Sequence, residues 1–196
     1  MESQLNYIRN ELQESIATKQ RILDDPALLA QIASVAEVCI KAFKAGNRVL
    51  LAGNGGSAAD AQHIAAEFVS RFMYDRPGLP AIALTTDTSM LTAIGNDYGY
   101  ERLFERQLEA NGRAGDVFIG ITTSGNSPNV LKTIARCREL GVVSVGLAGA
   151  GGKIQSLCDH VIAVPSTSTP RIQESHITIG HVICGMVESC IYPKDS

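Results

Sequence analysis

The sequence predicts an α/β protein in which a doubly wound parallel sheet is flanked by helices, with additional helices at the amino-terminal end. Short apolar segments alternate with helical segments over residues 47–196, which is typical of a parallel sheet covered on both faces. Residues 1–46 show helical patterns and no strand. The chain has 196 residues, of which 45% are hydrophobic and 19% charged, enough for one domain with a sizeable core. Since no repeat or linker divides it, we expect a single domain over residues 1–196.

Two helices are predicted before the first strand. In the first, apolar residues recur at three- and four-residue steps, which predicts one buried helical stripe. The second begins at Pro26 with Asp25 as its N-cap and ends at Gly46. Because these helices have no sheet of their own, they either contact another subunit or add a layer to the domain. The stripe consists of Leu5, Ile8, Leu12 and Ile16.

Strands and helices alternate in the rest of the chain. Each predicted strand is a short apolar run that ends in a turn, and prolines and glycines mark several helix ends. The predicted strands are RVLLAGN (48–54), LPAIALTTD (79–87), the first part of GDVFIGITTSGNS (115–127), VVSVGLAG (142–149) and HVIAVPS (160–166). The predicted helices are about 57–72, about 88–110 with an interruption at GNDYG, 127–141 and 169–191.

Composition argues against several classes of protein. The formal net charge of −3 gives no basic footprint for nucleic acid. The polar amino-terminal segment is not a signal peptide, and no apolar run is expected to reach transmembrane length. The odd number of cysteines and the lack of a CxxC motif favour buried, reduced thiols in a cytoplasmic protein. The cysteines are Cys39, Cys137, Cys158, Cys184 and Cys190.

Two loops follow predicted strands at positions where α/β proteins bind ligands. The turn GNGGS (53–57) can bring backbone N–H groups close to an anion, because glycine imposes no side-chain clash. The loop TTSGNS (122–127) offers hydroxyls at the start of a helix, where the N-terminus attracts anions. Neither GxxxxGK[ST] nor GxGxxG occurs, so a sugar phosphate is favoured over a nucleotide.

Two predicted helices contain residues able to serve in acid/base chemistry or metal binding. His63 and Glu67 lie four residues apart, on one helix face. In the closing helix, Gln173 and His181 fall about 80° apart around the axis. The four side chains can converge on a divalent metal such as zinc or on a substrate, although a weak ion pair on a solvated face also explains His63 and Glu67. For His176, a core histidine is the simpler interpretation.

Four segments resemble one family: GNGGSAADAQHIAAEF, AIGNDYGYERLF, TTSGNSPNV and RIQESHITIGH. Their order and spacing are similar to those of the phosphoheptose isomerases, which belong to the SIS (sugar isomerase) family, over nearly the whole chain. The resemblance implies an SIS-type fold and conversion of sedoheptulose 7-phosphate to D-glycero-D-manno-heptose 7-phosphate, for lipopolysaccharide or capsule. It also implies a homotetramer with active sites between subunits, formed with help from the amino-terminal helices.

Individual roles follow from the same resemblance. It implies one zinc ion per subunit, bound by His63, Glu67, Gln173 and His181, with Glu67 and His181 as the acid/base pair. Thr122 stands where the family often has serine, and Pro170 where some members have aspartate, so we give Pro170 no catalytic role. The substrate contacts implied are Asn54, Gly55, Gly56, Glu67, Arg71, Asn96, Asp97, Thr122, Thr123, Ser124, Ser127 and Gln173.

The reaction type indicates a mechanism. An aldose–ketose interchange moves a proton between neighbouring carbons through an enediol, with a carboxylate such as Glu67 as base and a histidine such as His181 as its partner. A zinc ion can polarise the carbonyl, but a metal-bound carboxylate is a poorer base, and the sequence leaves this tension open. The alternative is a non-enzymatic SIS tetramer that binds the replication initiator protein. A DNA-binding sugar sensor is disfavoured, since no helix-turn-helix is evident.

Overall fold

The computed structural model describes residues 1–194 and contains a five-stranded sheet in which every neighbouring pair is parallel. The strand order is β2-β1-β3-β4-β5, which is a doubly wound arrangement and confirms the predicted fold class. The strands are β1 (Val49–Gly53), β2 (Ala81–Ala83), β3 (Val117–Thr122), β4 (Val143–Ala148) and β5 (His160–Ala163). The helices are α1 (Glu2–Leu23), α2 (Pro26–Lys44), α3 (Gly56–Val69), α4 (Thr88–Tyr98), α5 (Leu103–Asn111), α6 (Pro128–Leu140) and α7 (Thr169–Ile191).

Apolar residues that alternate along the strands build two cores, one on each face of the sheet. Val49 and Leu51 pack in the core that contains α2, α3 and α7, whereas Leu50 and Ala52 pack in the core that contains α4, α5 and α6. This follows from the two-residue period of a strand, which sends successive side chains to opposite faces. The helix layer formed by α2, α3 and α7 contains all four residues that the resemblance assigns to zinc.

Most helix boundaries agree with their sequence signals. The Asp25 carboxylate accepts hydrogen bonds from the N–H groups of Ala27 and Leu28 at 3.0 and 3.1 Å, as an N-cap does. Gly141 ends α6 in the left-handed conformation. The interruption predicted at GNDYG occurs at its last residue, Gly99 (φ 85°), and α3 ends at Val69 instead of continuing to residue 72.

The predicted burial of the α1 stripe is wrong for the single chain. Along the stripe the exposed fraction rises from 47% at Leu5 to 66% at Ile16, and only Thr18 and Ile22 of this helix are buried. The periodicity identified an apolar face correctly, but no element among residues 1–194 covers it. An apolar face of this extent marks an interaction surface.

Helix α2 is long and apolar enough to span a membrane by length and composition, contrary to the sequence-based expectation. However, 44% of its apolar window is buried inside the structure, where the helix packs on α7 and the sheet. The core helix of a globular domain has the same composition. Its amino end is capped by Asp25, and its own residues Val35 and Phe43 belong to the buried hydrophobic core.

The cysteines are all free thiols. Cys39, Cys137 and Cys184 are buried, Cys158 is half-buried and Cys190 is exposed. Burial raises the pKa of Cys39 to about 12, which keeps its thiol protonated. The expected burial is found at Cys39, Cys137 and Cys184 but not at Cys158 and Cys190, and the reduced state of the cysteines stays a prediction.

Candidate active site

The two loops that are predicted to bind a ligand lie side by side because their strands are neighbours. Strands β1 and β3 pair in parallel, with Gly53 opposite Ile121, so the turn after β1 and the hydroxyl loop after β3 emerge at the same edge. In this strand order the chain leaves β1 and β3 in opposite directions across the sheet, which makes their carboxyl ends the expected ligand site. Helix α3 begins at the first loop and α6 at the second.

Helix α7 packs closely beside α3, and we call this contact the α3–α7 seam. A Cβ atom at Gly180 would lie 2.7 Å from Ile64 Cδ1, so glycine at this position lets the two helices approach. Gly56 faces Gln173 at the amino ends of the helices, whereas His63 faces His181 further along. The two helices therefore run in the same direction, and residues at the same distance from their amino ends meet across the seam.

Three of the predicted site residues converge at this seam. His63 Nε2 lies 2.8 Å from His181 Nε2 and 3.2 Å from Glu67 Oε1, and one donor atom from each residue lies within 4.8 Å of the other two. The side chain of His63 is 48% exposed and that of Glu67 22%, so solvent and ligands reach them. Two imidazole nitrogens and a carboxylate form a donor set that suits a divalent ion such as zinc.

Gln173 lies at the other end of the seam. A Cβ atom at Gly56 would be 2.5 Å from Gln173 Nε2, so this side chain packs directly against the glycine turn. Its Cα precedes that of His181 by eight residues, or about 12 Å along the helix axis. The structure thus brings Gln173 to the first ligand loop, and its role as a fourth metal ligand stays a prediction.

The hydroxyl loop is ordered by its own side chains. Thr122 Oγ1 lies 2.8 Å from Ser127 Oγ and 3.5 Å from Ser124 Oγ, and the Asn126 N–H donates to Ser124 Oγ at 3.2 Å. Gly125 adopts φ 66°, a conformation that favours glycine. Thr123 and Ser124 line a cavity of about 350 Å³ together with the residues that lead into α7. Hydroxyls beside two helix N-termini suit an anion such as phosphate.

The glycine turn contacts residues that the sequence analysis did not single out. The side-chain amides of Asn54 and Asn129 exchange two hydrogen bonds of 2.9 Å, and the Tyr100 hydroxyl donates to Asn54 Oδ1 at 3.0 Å. Gly53, Asn54 and Gly55 line a cavity of about 290 Å³ that Tyr100 also borders. Asn129 is buried beside Pro128 in the first turn of α6, and a polar residue directly after a hydroxyl loop was the available signal.

Three predicted substrate contacts lie outside the seam. Asn96 and Asp97 are exposed near the end of α4, where Asn96 Nδ2 donates to Asp97 Oδ1 at 2.8 Å. Arg71 is exposed just after α3. Within residues 1–194, no hydrogen bond joins any of these side chains to His63, Glu67 or His181. Their roles as substrate contacts stay predictions.

Asp60 is a further polar residue on α3 that the sequence analysis missed. Its Oδ2 atom is buried and has no hydrogen-bond partner in the described part of the chain. Burial raises the pKa of this carboxyl group, while the charge of His63 opposes the shift. The available signal was the presence of a carboxylate one turn before His63, in a helical segment that is otherwise rich in alanine.

His176 is a core residue, as the simpler interpretation predicted. It is fully buried, and its Nε2 lies 3.1 Å from the carbonyl oxygen of Ala148, so Nε2 bears the proton. Burial lowers the pKa of His176 to about 4 although this hydrogen bond opposes the shift. The histidine is therefore neutral near pH 7 and holds α7 against β4.

Comparison with known proteins identifies the family. The SIS domain family model matches residues 12–149. A phosphoheptose isomerase of Aneurinibacillus thermoaerophilus is 63% identical over 188 residues, which cover 95% of each chain. The chain belongs to the phosphoheptose isomerase family. The resemblance inferred from its four motifs is thereby confirmed, as is the SIS fold.

Solved structures of family members have the same architecture. The phosphoheptose isomerase of Neisseria gonorrhoeae superposes with a TM-score of 0.88 at 42% identity, covering 94% of this chain and 98% of that one. The enzyme from Francisella tularensis gives a TM-score of 0.89 at 34% identity, covering 95% and 98%. The amino-terminal helices therefore fall within the span that the phosphoheptose isomerases share.

Proposed function

We propose that the protein is an aldose–ketose isomerase that converts sedoheptulose 7-phosphate to D-glycero-D-manno-heptose 7-phosphate, for bacterial heptose biosynthesis. The convergence of His63, Glu67 and His181 on the seam that begins at the glycine turn is the observation that supports it most directly. Family membership supports the same reaction, because relatives identical at half or more of their positions are phosphoheptose isomerases. Whether the heptose enters lipopolysaccharide or capsule depends on later enzymes.

Glu67 and His181 are the residues that move protons in this proposal. Glu67 takes a proton from the carbon beside the substrate carbonyl and returns it to the neighbouring carbon, through an enediol. His181 transfers the proton between the two oxygens. Their side chains both reach His63, which supports a single reaction centre. The ring of Phe72 stacks on His181 with centroids 5.5 Å apart and covers one side of that imidazole.

Zinc, one ion per subunit, is the metal we propose for this centre. His63, Glu67 and His181 would hold it, with Gln173 as the fourth ligand that the family resemblance implies. When bound, such an ion polarises a carbonyl as a Lewis acid. The donor set of two imidazoles and a carboxylate supports zinc, and the absence of a thiolate among them is compatible with a catalytic site.

The sugar phosphate is held by the loops in this proposal. Thr122, Thr123, Ser124 and Ser127 bind the phosphate through hydroxyls and N–H groups, while Asn54, Gly55 and Gly56 contact the sugar from the neighbouring turn. The cavity at the hydroxyl loop and the helix N-termini around it support this assignment. Arg71, Asn96 and Asp97 are proposed to complete the site.

A homotetramer is proposed as the working form, in the cytoplasm, with residues 1–46 serving assembly and 47–196 the reaction. The exposed stripe on α1 supports an assembly of copies. A non-enzymatic tetramer that binds the replication initiator is not favoured, because such a protein has no need of the converging His63, Glu67 and His181. No nucleic acid or membrane partner is part of the proposal.

The test is NMR of sedoheptulose 7-phosphate incubated with purified protein, both zinc-loaded and after chelation. We expect new aldose phosphate signals with the zinc-loaded protein and a smaller yield after chelation. Equal yields under both conditions would contradict the role of zinc but support the isomerase activity. No product under either condition would contradict the isomerase and make the regulatory tetramer the leading hypothesis.

A further inference from the structure

A buried ion pair lies directly behind the α3–α7 seam. Arg76 follows the end of α3 by seven residues, and Glu188 is on α7, two turns after His181. Arg76 Nε lies 3.1 Å from Glu188 Oε1, and their side chains are only 2% and 1% exposed. A charge pair this deeply buried is costly unless its remaining donors and acceptors are also satisfied.

The remaining hydrogen bonds of the pair all go to backbone atoms, most of them at or just after the end of α3, and one to the carbonyl oxygen of Pro77. The guanidinium of Arg76 donates to the carbonyl oxygens of Glu67 at 2.8 Å and Phe68 at 2.6 Å. The Glu188 carboxylate accepts from the N–H groups of Phe72 at 2.8 Å and Met73 at 2.7 Å. Burial would raise the pKa of Glu188, but these N–H groups and Arg76 lower it, so the carboxylate stays charged.

The atoms that this pair holds belong to site residues or to their neighbours. One bond ends on the backbone carbonyl oxygen of Glu67, the residue proposed as the base. Phe72 directly follows Arg71, and its ring stacks on His181 with an interplanar angle of 29°. A Cβ atom at Gly185 would lie 3.4 Å from the Phe72 ring, so α7 has room for this ring next to His181.

We propose that the Arg76–Glu188 pair is a positioning element, which fixes the carboxyl end of α3 and Phe72 and thereby sets Glu67 against His181. This inference rests on the proposed function, since it assigns the pair a role in that reaction. The bonds from Arg76 cap carbonyl groups in the last turn of α3, which fixes the turn that carries Glu67, and the bonds to Glu188 fix the backbone of Phe72, whose ring stacks on His181. Neither Arg76 nor Glu188 contacts substrate in this proposal, so their loss alters turnover through geometry.

The test uses Glu188→Gln, which keeps the size of the side chain but loses its charge. At a temperature well below melting and per folded protein, we expect kcat for sedoheptulose 7-phosphate to fall by about ten- to a hundredfold, as for other groups that orient a reacting residue, with KM within about twofold. Glu139→Gln, the same change in an exposed pair with Arg136 on α6, is the matched control and leaves kcat unchanged. Arg76→Lys keeps the positive charge but loses the planar guanidinium and its several donors. It is the second test variant if Glu188→Gln does not fold.

Crystal structures of the wild type and of the variant provide a readout that needs no turnover. We expect the Glu67 carboxylate and the Phe72 ring to be displaced in Glu188→Gln. An unchanged kcat in the folded variant would overturn the inference. If the wild type itself does not isomerise the substrate, the proposed function fails, and the crystal structures decide: unmoved Glu67 and His181 would overturn the positioning role.

Discussion

The α3–α7 seam and the outer face of α1 differ in what a single chain supplies to each. At the seam, donors and acceptors come together within the chain, and a buried ion pair holds the end of α3. On α1, the apolar residues Leu12 and Ile16 are 60% and 66% exposed. The difference shows that one chain brings His63, Glu67 and His181 together by itself, whereas its apolar amino-terminal face stays in water unless a partner covers it.

Changing the proposed base at the seam is expected to give the largest effect. Glu67→Gln removes the carboxylate that accepts the carbon-bound proton, and we expect kcat to fall by roughly 10² to 10⁴. Circular dichroism and the assembly state are expected to be unchanged, because the Glu67 side chain is partly exposed and contributes little to the core.

The matched control for this change is Glu37→Gln on an exposed part of α2, which is expected to keep full activity. Steady-state kinetics of both variants provide the measurement. A Glu67→Gln variant with most of its activity would contradict the assignment of the base.

The second prediction concerns the other side of the comparison, the α1 face. Ile16→Glu places a charge in the exposed stripe, and we expect it to weaken the association of copies by about 1.5–3 kcal/mol per subunit, the value of burying one isoleucine. Light scattering after size-exclusion chromatography measures this as a shift to smaller species at micromolar protein.

Gln13→Glu adds the same charge to an exposed position of the same helix outside the stripe, and is expected to leave the assembly unchanged. Equal dissociation by the two variants would mean that charge, and not the apolar face, determines association. An Ile16→Glu variant with an intact assembly would show that the stripe is not the interface.

Sequence patterns predicted the fold well because they report local periodicity. All five strands and the order of the helices are confirmed, but LPAIALTTD forms only three residues of strand and α3 ends early. The early end of α3 depends on distant contacts, since residues 72 and 73 donate their N–H groups to Glu188, more than a hundred residues away. The burial of the α1 stripe was also predicted wrongly, because periodicity shows that a helix has an apolar face but not whether another element packs on it.

Some residues of the candidate site were predicted from the sequence, and others were missed. His63, Glu67 and His181 meet as expected because each lies on a strongly patterned helix. Asn129 and Tyr100 were missed because their hydrogen bonds to Asn54 join residues 75 and 46 positions apart, and the position of Asn129 after the hydroxyl loop does not by itself show this contact. Asp60 was missed because its burial depends on how α3 packs in the whole fold.

The third prediction uses the buried histidine of α7. The pKa of His176 is lowered from 6.5 to about 4, so the unfolded chain binds the additional proton as the pH falls and stability is lost over that window. Between pH 7 and 5, we expect the free energy of unfolding to fall by about 2 kcal/mol from this group, while most carboxylates remain ionised.

Urea denaturation at several pH values measures this slope. His176→Gln keeps an N–H donor for Ala148 but does not titrate, so its slope is expected to be flatter. His160→Gln on β5, a half-buried histidine outside α7, is expected to keep the wild-type slope. Equal slopes for the wild type and His176→Gln would mean that α7 accepts the charge without loss of packing.

The smallest expected effect is at the amino end of the seam. In Gly56→Ala, the new Cβ would meet Gln173 Nε2 at 2.5 Å, so the flexible amide end of Gln173 has to move away from the turn. Because Gly56 does not adopt a positive φ, the backbone accepts alanine, and we expect a loss of about 1 kcal/mol or less in stability together with a severalfold rise in KM. Gly95→Ala on α4 meets no atom within 4 Å and is the matched control, expected to stabilise its helix slightly. An unchanged KM for Gly56→Ala would show that Gln173 does not contact the substrate from its present position, and would restrict the seam's part in the reaction to His63, Glu67 and His181.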